Sequence, residues 1–126
     1  IAGFPTEDEA MAANTRALIA DCGIVFAHVF PFSPRAGTPA ARMPQLARPL
    51  VRARAAALRA VAADAQAAWL GSRIGMVEDV LVERDGSSGH AAHFAKVRLE
   101  APAAPNAIVR VTIGRVDGDT LVGAAL

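Results

Sequence analysis

The sequence predicts a chain of mixed class, in which an α/β segment precedes an all-β domain. Residues 1–30 place a capped helical pattern between two apolar extended stretches, and an alanine-rich amphipathic pattern follows from Pro49 to Leu70. After Gly75 the hydrophobic period changes to two and hairpin turns appear. These observations predict a strand-helix-strand unit, a linking amphipathic helix and a small antiparallel β-barrel, with boundaries at residues 1–46, 47–73 and 74–126.

The first helix is predicted over residues 7–22. Thr6 precedes Glu7, Asp8 and Glu9, a capping-box pattern that places acidic side chains at the positive end of the helix dipole. Gly23 supplies a left-handed stop. Cys22, the single cysteine, rules out a disulfide within the chain, and we expect it to be a small buried residue.

The apolar run from Ile24 to Phe30 predicts a strand that is covered on both faces and lies parallel to a strand ending at Ile1–Gly3. His28 within this run is expected to be a neutral, hydrogen-bonded core residue. Amide donors are missing at Pro31, Pro34, Pro39, Pro44 and Pro49, so residues 31–47 cannot be helical throughout and are predicted to form a long loop. Loops that leave the carboxyl ends of parallel strands commonly bind ligands, so this loop is a candidate site.

In the second half, strands are predicted near residues 76–84, 90–99, 107–116 and 119–126, with tight turns at 85–89 and 117–119. Alternation directs one set of side chains inward and another outward. The inward set is Ala95, Val97, Leu99, Val109, Val111 and Ile113, and the outward set is Phe94, Lys96, Arg98, Arg110 and Thr112.

Charge is unevenly distributed along the chain, whose net charge is +1. Residues 47–73 carry five arginines against one aspartate, which suits either a phosphate-facing helix or a solvated face, whereas residues 74–126 carry five basic and seven acidic groups. No apolar run is long enough to span a membrane and no basic-then-apolar leader is present, so we expect a soluble cytoplasmic protein without a membrane partner. The start at Ile1 suggests a fragment of a longer protein.

Three segments together carry a family resemblance: Gly3-Phe-Pro-Thr-Glu7, Phe26-Ala-His-Val-Phe-Pro-Phe-Ser-Pro-Arg-Ala-Gly-Thr-Pro-Ala-Ala-Arg-Met-Pro44 and Arg54-Ala-Ala-Ala-Leu-Arg59. With the strand-rich end, they resemble the radical S-adenosylmethionine methylthiotransferases over essentially the whole chain. His28-Val29-Phe30-Pro31 and Gly89-His90 are similar to the branch that modifies threonylcarbamoyladenosine beside the tRNA anticodon. The resemblance implies the end of a partial β/α barrel at residues 1–46 and an OB-like barrel, the TRAM domain, at residues 74–126.

The resemblance also implies S-adenosylmethionine and two 4Fe-4S clusters in the full-length enzyme. Both cysteine motifs are absent here, so no catalytic or metal-ligating residue is assigned, and the isolated chain is expected to be inactive and free of iron. Thr6 departs from the family, which has glycine there, so close approach of the ligand at that position is in doubt. The residues implied to bind the cofactor are Gly3, Phe4, Pro5, Phe32 and Ser33.

Arg35, held between two prolines, is the best candidate to grip a carboxylate or phosphate of the substrate, with a structural salt bridge as the alternative. On the barrel, an exposed aromatic beside two cations is the combination that binds single-stranded RNA. The alternative is that Phe94 packs internally and the cations only solvate a face. The residues proposed to contact tRNA near its anticodon are Arg35, His90, Phe94, Lys96, Arg98 and Arg110.

Two other functions remain open: a non-catalytic OB-like RNA-binding module, and the sister branch that acts on a ribosomal protein.

The incomplete sheet has a further consequence. Two parallel strands that are apolar on both faces cannot be covered by one helix, so we expect residues 1–46 either to self-associate through the exposed strand edge or to be poorly ordered.

Overall fold

The computed structural model describes all 126 residues and divides into two compact units, residues 1–66 and 67–126. The helices are α1 (Glu9–Asp21), a short 3₁₀ helix (Pro39–Arg42) and α2 (Arg48–Gly71). The strands are β1 (Val77–Val82), β2 (Ser88–Ala91), β3 (Lys96–Leu99), β4 (Ile108–Asp117) and β5 (Thr120–Ala125). The two predicted helices and the strand-rich second half are therefore confirmed. Residues 1–46 do not form the predicted strand-helix-strand end of a partial β/α barrel, because no strand is found in them.

Helix α1 starts at a different cap from the one predicted. Asp8, not Thr6, is the N-cap: its carboxylate accepts a hydrogen bond from the amide of Met11 at 2.7 Å. Thr6 lies in a turn that is closed by a hydrogen bond from the Glu7 amide to the Phe4 carbonyl. The stop at Gly23 is confirmed by its positive φ of 61°. Cys22 is exposed, so the prediction that it is buried was wrong.

The predicted strand from Ile24 to Phe30 does not form. Its only sheet-like contact is a parallel bridge between Ala2 and Pro31, flanked by hydrogen bonds from Ala2 to Phe30 and from Phe32 to Ala2. A β-strand is stabilised by hydrogen bonds to a neighbouring strand along its length, whereas residues 1–3 provide only one β-bridge. His28 is exposed rather than in the core, because the run around it is not covered on both faces.

The first unit is held by a small core in which α1 and α2 meet the chain around Ala2. The buried members are Ala2, Ile19, Ala55 and Leu58, and Val29 packs partly against them. Arg54 also faces this interior, with 9% of its surface exposed. The amphipathic pattern of residues 49–70 had instead predicted that the arginines lie largely off the buried face of the helix. Its buried charge is paired with Glu7.

The second unit is a closed barrel with strand order β1-β2-β3-β5-β4, and β4 returns to pair with β1. Every pairing is antiparallel except that of β3 with β5, which is parallel because the chain crosses over through β4. Closure leaves no free edge in the sheet. The single strand predicted at 90–99 is two strands, β2 and β3, separated by a turn in which Phe94 has a φ of 67°.

The inward and outward sets predicted for the barrel are otherwise confirmed. Ala95, Val97 and Leu99 are buried, as are Val111 and Ile113, and Phe94, Lys96 and Arg98 are exposed. Two glycines let neighbouring strands approach closely. A Cβ at Gly89 would lie 2.3 Å from the Leu81 carbonyl oxygen, and one at Gly123 would lie 2.3 Å from that of Thr112.

We expect Gly123→Ala to lower the free energy of unfolding of the barrel by about 1–3 kcal/mol, because the added methyl group must displace strand backbone. Gly71→Ala is the matched control, since a methyl group there meets no atom within 4 Å. Urea denaturation followed by the fluorescence of Trp69, the only tryptophan, measures both. An unchanged midpoint for Gly123→Ala would contradict this account of the packing.

Replacing Arg54 with methionine should destabilise the first unit by about 3–5 kcal/mol, because the largely buried Glu7 carboxylate would lose its counter-charge. Hydrogen exchange of the amides in residues 1–22 measures the effect. Arg52→Met, at an exposed position without an ion pair, is the control. Adding Glu7→Gln to Arg54→Met should restore part of the lost protection; no recovery would show that the pair is not the source of the stability.

Candidate functional site

The first unit contains an open cavity of about 670 Å³ beside the Ala2–Pro31 bridge. Four of the residues proposed from the sequence line it: Phe4, Phe32, Ser33 and Arg35. The rings of Phe4 and Phe32 meet edge to face with centroids 5.2 Å apart. Residues that are 28 positions apart in sequence are thus brought to one apolar wall with a hydroxyl and a guanidinium at its border. The remaining lining residues are Ile1, Phe30, Pro31, Thr38 and Ala40.

Gly3 and Pro5 do not line this cavity, and Gly3 has a different structural role. Its φ is 80°, and a Cβ there would lie 2.7 Å from the side chain of Val51 on α2. Its amide donates to the Glu7 carboxylate at 2.7 Å. Glycine is therefore required because α2 packs against the backbone at this point, and this contact orients the neighbouring Phe4.

The loop that carries Arg35 is ordered by its own hydrogen bonds. The hydroxyl of Thr38 donates to the Arg35 carbonyl at 2.8 Å and accepts from the Ala41 amide, which caps the 3₁₀ helix. The Arg35 side chain is exposed and has no carboxylate within salt-bridge distance, so the predicted alternative of a structural salt bridge does not apply. Its guanidinium is available to an anionic ligand at the cavity.

On the barrel, His90 and Lys96 lie directly opposite each other on β2 and β3. Both are exposed. The His90 Nδ1 lies 2.9 Å from a carboxylate oxygen of Glu83, whereas no carboxylate lies within salt-bridge distance of Lys96. Lys96 is therefore a free cation in the middle of the outer face.

Phe94 projects from the β2–β3 turn rather than from a strand, and 82% of its surface is exposed. The alternative prediction that it packs internally was therefore wrong. The turn is anchored by His93, whose Nδ1 accepts from the Ala95 amide and whose ring meets Trp69 edge to face at 4.6 Å.

The cluster that anchors this turn was missed by the sequence analysis, which left His93 out of the residues proposed to contact tRNA. The Nε2 atom of His93 lies 3.2 Å from a Glu78 carboxylate oxygen, and Arg73 lies 3.8 Å from the other oxygen. The Arg73 guanidinium also stacks over the Trp69 ring at 5.2 Å. Trp69 and Arg73 are four residues apart at the end of α2, the spacing of neighbours on one helix face, and this is the sequence signal that could have suggested the contact. The cluster fixes the turn that displays Phe94.

Arg98 is not a free cation, because it forms an ion pair with Asp117, which Arg115 also approaches at 3.9 Å. The hydrogen bond and charge of the Arg98 guanidinium hold the pKa of Asp117 below its usual value. Asp117 is thus ionised at neutral pH, and the pair is lost only as the pH falls through that lowered pKa. Arg110 lies on β4 opposite Asp79 of β1, and β4 does not pair with β3, the strand of Lys96: β5 lies between them on one side of the barrel, and β1 and β2 on the other.

No group of three or more His, Cys, Asp or Glu side chains in this chain is arranged to hold a metal ion. None of its helices has the length and apolar character needed to cross a bilayer. The geometry therefore leaves an aromatic cavity in the first unit and an exposed polar and aromatic face on the barrel as the two candidate sites.

Comparison with known proteins identifies relatives along almost the entire chain, although no protein-family model matches it. The chain is 40% identical over 100 residues to the threonylcarbamoyladenosine tRNA methylthiotransferase MtaB of Rickettsia prowazekii, a match that covers 79% of the chain and 24% of that protein. It is 36% identical over 129 residues to the tRNA-2-methylthio-N(6)-dimethylallyladenosine synthase of Cereibacter sphaeroides, covering 98% of the chain and 30% of the relative.

A third relative, the tRNA-2-methylthio-N(6)-dimethylallyladenosine synthase of Zymomonas mobilis, is 34% identical over 132 residues, a match that covers all of the chain and 30% of that protein. The chain thus spans less than a third of the length of these relatives. The resemblance found in the sequence is confirmed by all three. The chain therefore belongs to the radical S-adenosylmethionine methylthiotransferase family and corresponds to a part of those enzymes.

Proposed function

We propose that this chain is the carboxyl-terminal part of an enzyme that methylthiolates a modified adenosine of tRNA. In this proposal residues 1–46 form one wall of the S-adenosylmethionine site, residues 47–73 form the linking helix and residues 74–126 form an RNA-binding TRAM domain. The observation that carries it is the cavity lined by Phe4, Phe32 and Ser33, which the family resemblance implies to bind the cofactor, and by Arg35, the candidate for binding the substrate.

The cavity suits part of an adenosyl ligand. Its volume is within the range of about 300–1,000 Å³ that is usual for small-molecule sites, and its aromatic wall with few polar groups matches their usual lining. S-adenosylmethionine would supply the radical and methyl chemistry when bound. Phe4 and Phe32 would hold the apolar face of the ligand, Ser33 would offer a hydroxyl, and Arg35 would bind a carboxylate or phosphate group. Gly3 and Pro5 would act by shaping the turn that carries Phe4.

The residues present do not fit the two 4Fe-4S clusters of the family. Cys22 is the only thiol, and no side-chain group has the arrangement of a metal site. Clusters of this kind are held by several cysteine thiolates. We therefore assign both clusters to other parts of the enzyme, and we expect the isolated chain to lack iron and methylthiotransferase activity.

The proposed substrate is threonylcarbamoyladenosine beside the tRNA anticodon, supported by the 40% identity to the Rickettsia enzyme of that name. A second candidate is dimethylallyladenosine, because two relatives named for that base match 98% and 100% of the chain. Either substrate implies action in the cytoplasm, where tRNA is modified. The exposed apolar side chains of the first unit, among them Ile1 and Phe30, support self-association through this incomplete edge.

The proposed RNA-binding surface is formed by His90, Phe94 and Lys96, with Arg98 and Arg110 at its borders. Phe94 offers an exposed ring on which a base can stack, and Lys96 offers an unpaired positive charge to a phosphate. The rest of the barrel carries more acidic than basic groups. Affinity should therefore depend on this local surface and be weak and sensitive to salt.

Replacing Phe94, Lys96 and Arg98 together with alanine should weaken binding of the chain to an anticodon stem-loop at low salt by roughly tenfold or more, because a stacking contact and two cations are removed. Fluorescence anisotropy measures the affinity. The control is Arg16→Ala with Arg42→Ala, which makes the same change in net charge in the other unit. Equal affinity of the triple variant and the wild-type chain would refute this surface.

Asp117→Asn should strengthen RNA binding several-fold at neutral pH, because it releases Arg98 from its ion pair. Asp119→Asn is matched in charge and lies in the same turn, but Asp119 bonds only to the hydroxyl of Thr120. The difference between the two variants therefore separates the release of Arg98 and Arg115 from the general loss of negative charge. If both variants bind equally well, Arg98 does not contact RNA.

A further inference from the structure

A groove of about 420 Å³ lies on the outer surface of the barrel, away from the Phe94 turn. Its floor and rim are formed by Leu81 and Val82 of β1, His90 of β2 and Asn106, which precedes β4. Glu83 and Arg84, from the segment that leaves β1, complete the lining. None of these residues except His90 was selected from the sequence.

The groove is bordered by an exposed pair of aliphatic side chains. Leu81 on β1 and Ile108 on β4 are direct partners in the sheet register, and 53% and 72% of their surfaces are exposed. Directly opposed residues have their Cβ atoms only about 5 Å apart, so the two form one continuous apolar surface. Two exposed aliphatic residues that are neighbours across adjacent strands are a feature that folding of the barrel does not require.

Polar groups with defined orientations surround this apolar pair. The register places His90 beside Leu81 and Lys96 beside His90, so one row across four strands runs Ile108, Leu81, His90 and Lys96. The His90 Nδ1 lies 2.9 Å from a Glu83 carboxylate oxygen, and the other ring nitrogen, Nε2, has no partner in the chain and is available to a ligand. Asn106 is held in a left-handed conformation, with a φ of 62°, by a hydrogen bond from its amide to the Val82 carbonyl.

We propose that this groove binds one unpaired nucleobase of RNA. The flat face of the base would cover Leu81 and Ile108, its polar edge would meet the amide of Asn106 and the His90 ring, and an adjacent phosphate would lie toward Lys96. Apolar area beside side chains able to donate and accept hydrogen bonds is the chemistry that an unstacked base needs. This inference rests on the proposed RNA-binding function and adds to it a base site distinct from Phe94.

The test compares the affinity of the 126-residue chain for two single-stranded RNAs of about eight nucleotides, one complete and one in which every base is replaced by an abasic ribose. The wild-type chain should bind the complete RNA roughly tenfold more tightly. Leu81→Thr combined with Ile108→Thr should remove roughly three- to tenfold of that discrimination and leave abasic RNA binding unchanged. Both positions are exposed, and Trp69 fluorescence verifies that the variant is folded.

Met76→Thr with Val77→Thr is the control, since it removes another exposed apolar pair of the same unit and should leave discrimination unchanged. Equal binding of both RNAs by the wild-type chain would overturn the base site while RNA binding itself stands. Full discrimination in the Leu81 and Ile108 variant would also overturn it, because the base contact must then lie elsewhere. Binding of neither RNA would instead remove the proposed RNA-binding function.

Discussion

The carboxylate of Glu7 is the group on which the first unit depends. It accepts hydrogen bonds from the Gly3 amide at 2.7 Å and from the Arg54 guanidinium at 3.0 Å, and Arg54 also donates to the Glu7 carbonyl. These bonds fasten the turn between Gly3 and Glu7 to α2, where Val51 packs against Gly3. Phe4 is therefore presented to Phe32 by a buried ion pair. A buried charge is tolerated when it is paired and hydrogen-bonded, and the Glu7 carboxylate meets both conditions.

The Glu7–Arg54 pair also reduces the positive charge that the basic helix α2 can offer to a ligand. Arg54 is engaged in a buried ion pair within the first unit, and Arg59 donates to the Val29 carbonyl at 3.3 Å. On the barrel, Arg98 and Arg73 are likewise engaged by carboxylates. The positive charge visible in the sequence is thus larger than the charge available to a phosphate. Composition alone overstates the electrostatic term in RNA binding.

Local patterns predicted much of the fold, and contacts between distant residues explain where they did not. Alternation correctly gave the inward side of β3 and β4, because burial on one face of a strand is a local property. The N-cap was misassigned because Arg54, 47 residues away, recruits Glu7. The parallel pairing of β3 with β5 depends on barrel closure, which hairpin signals do not encode. The turn at Phe94 depends on Trp69, which lies outside the barrel strands.

The candidate sites also divide into residues that sequence motifs could indicate and residues that become evident only from contacts between distant parts of the chain. The resemblance implied five cofactor residues, of which Phe4, Phe32 and Ser33 line one cavity together with Arg35, whereas Gly3 and Pro5 do not line it. It could not identify Leu81 or Ile108, because exposed aliphatic residues become conspicuous only when the register makes them neighbours.

Barrel closure and charge pairing together constrain how this domain can bind RNA. A closed sheet offers no edge for strand addition, so side chains on the outer face must make every contact. With Arg98 paired to Asp117, Lys96 and Arg110 are the exposed cations of the strands that have no ion pair. One or two phosphate contacts give a shallow dependence on salt and little affinity. Most of the RNA affinity must therefore come from contacts with bases, and the exposed Phe94 ring and the Leu81–Ile108 surface are suited to make such contacts.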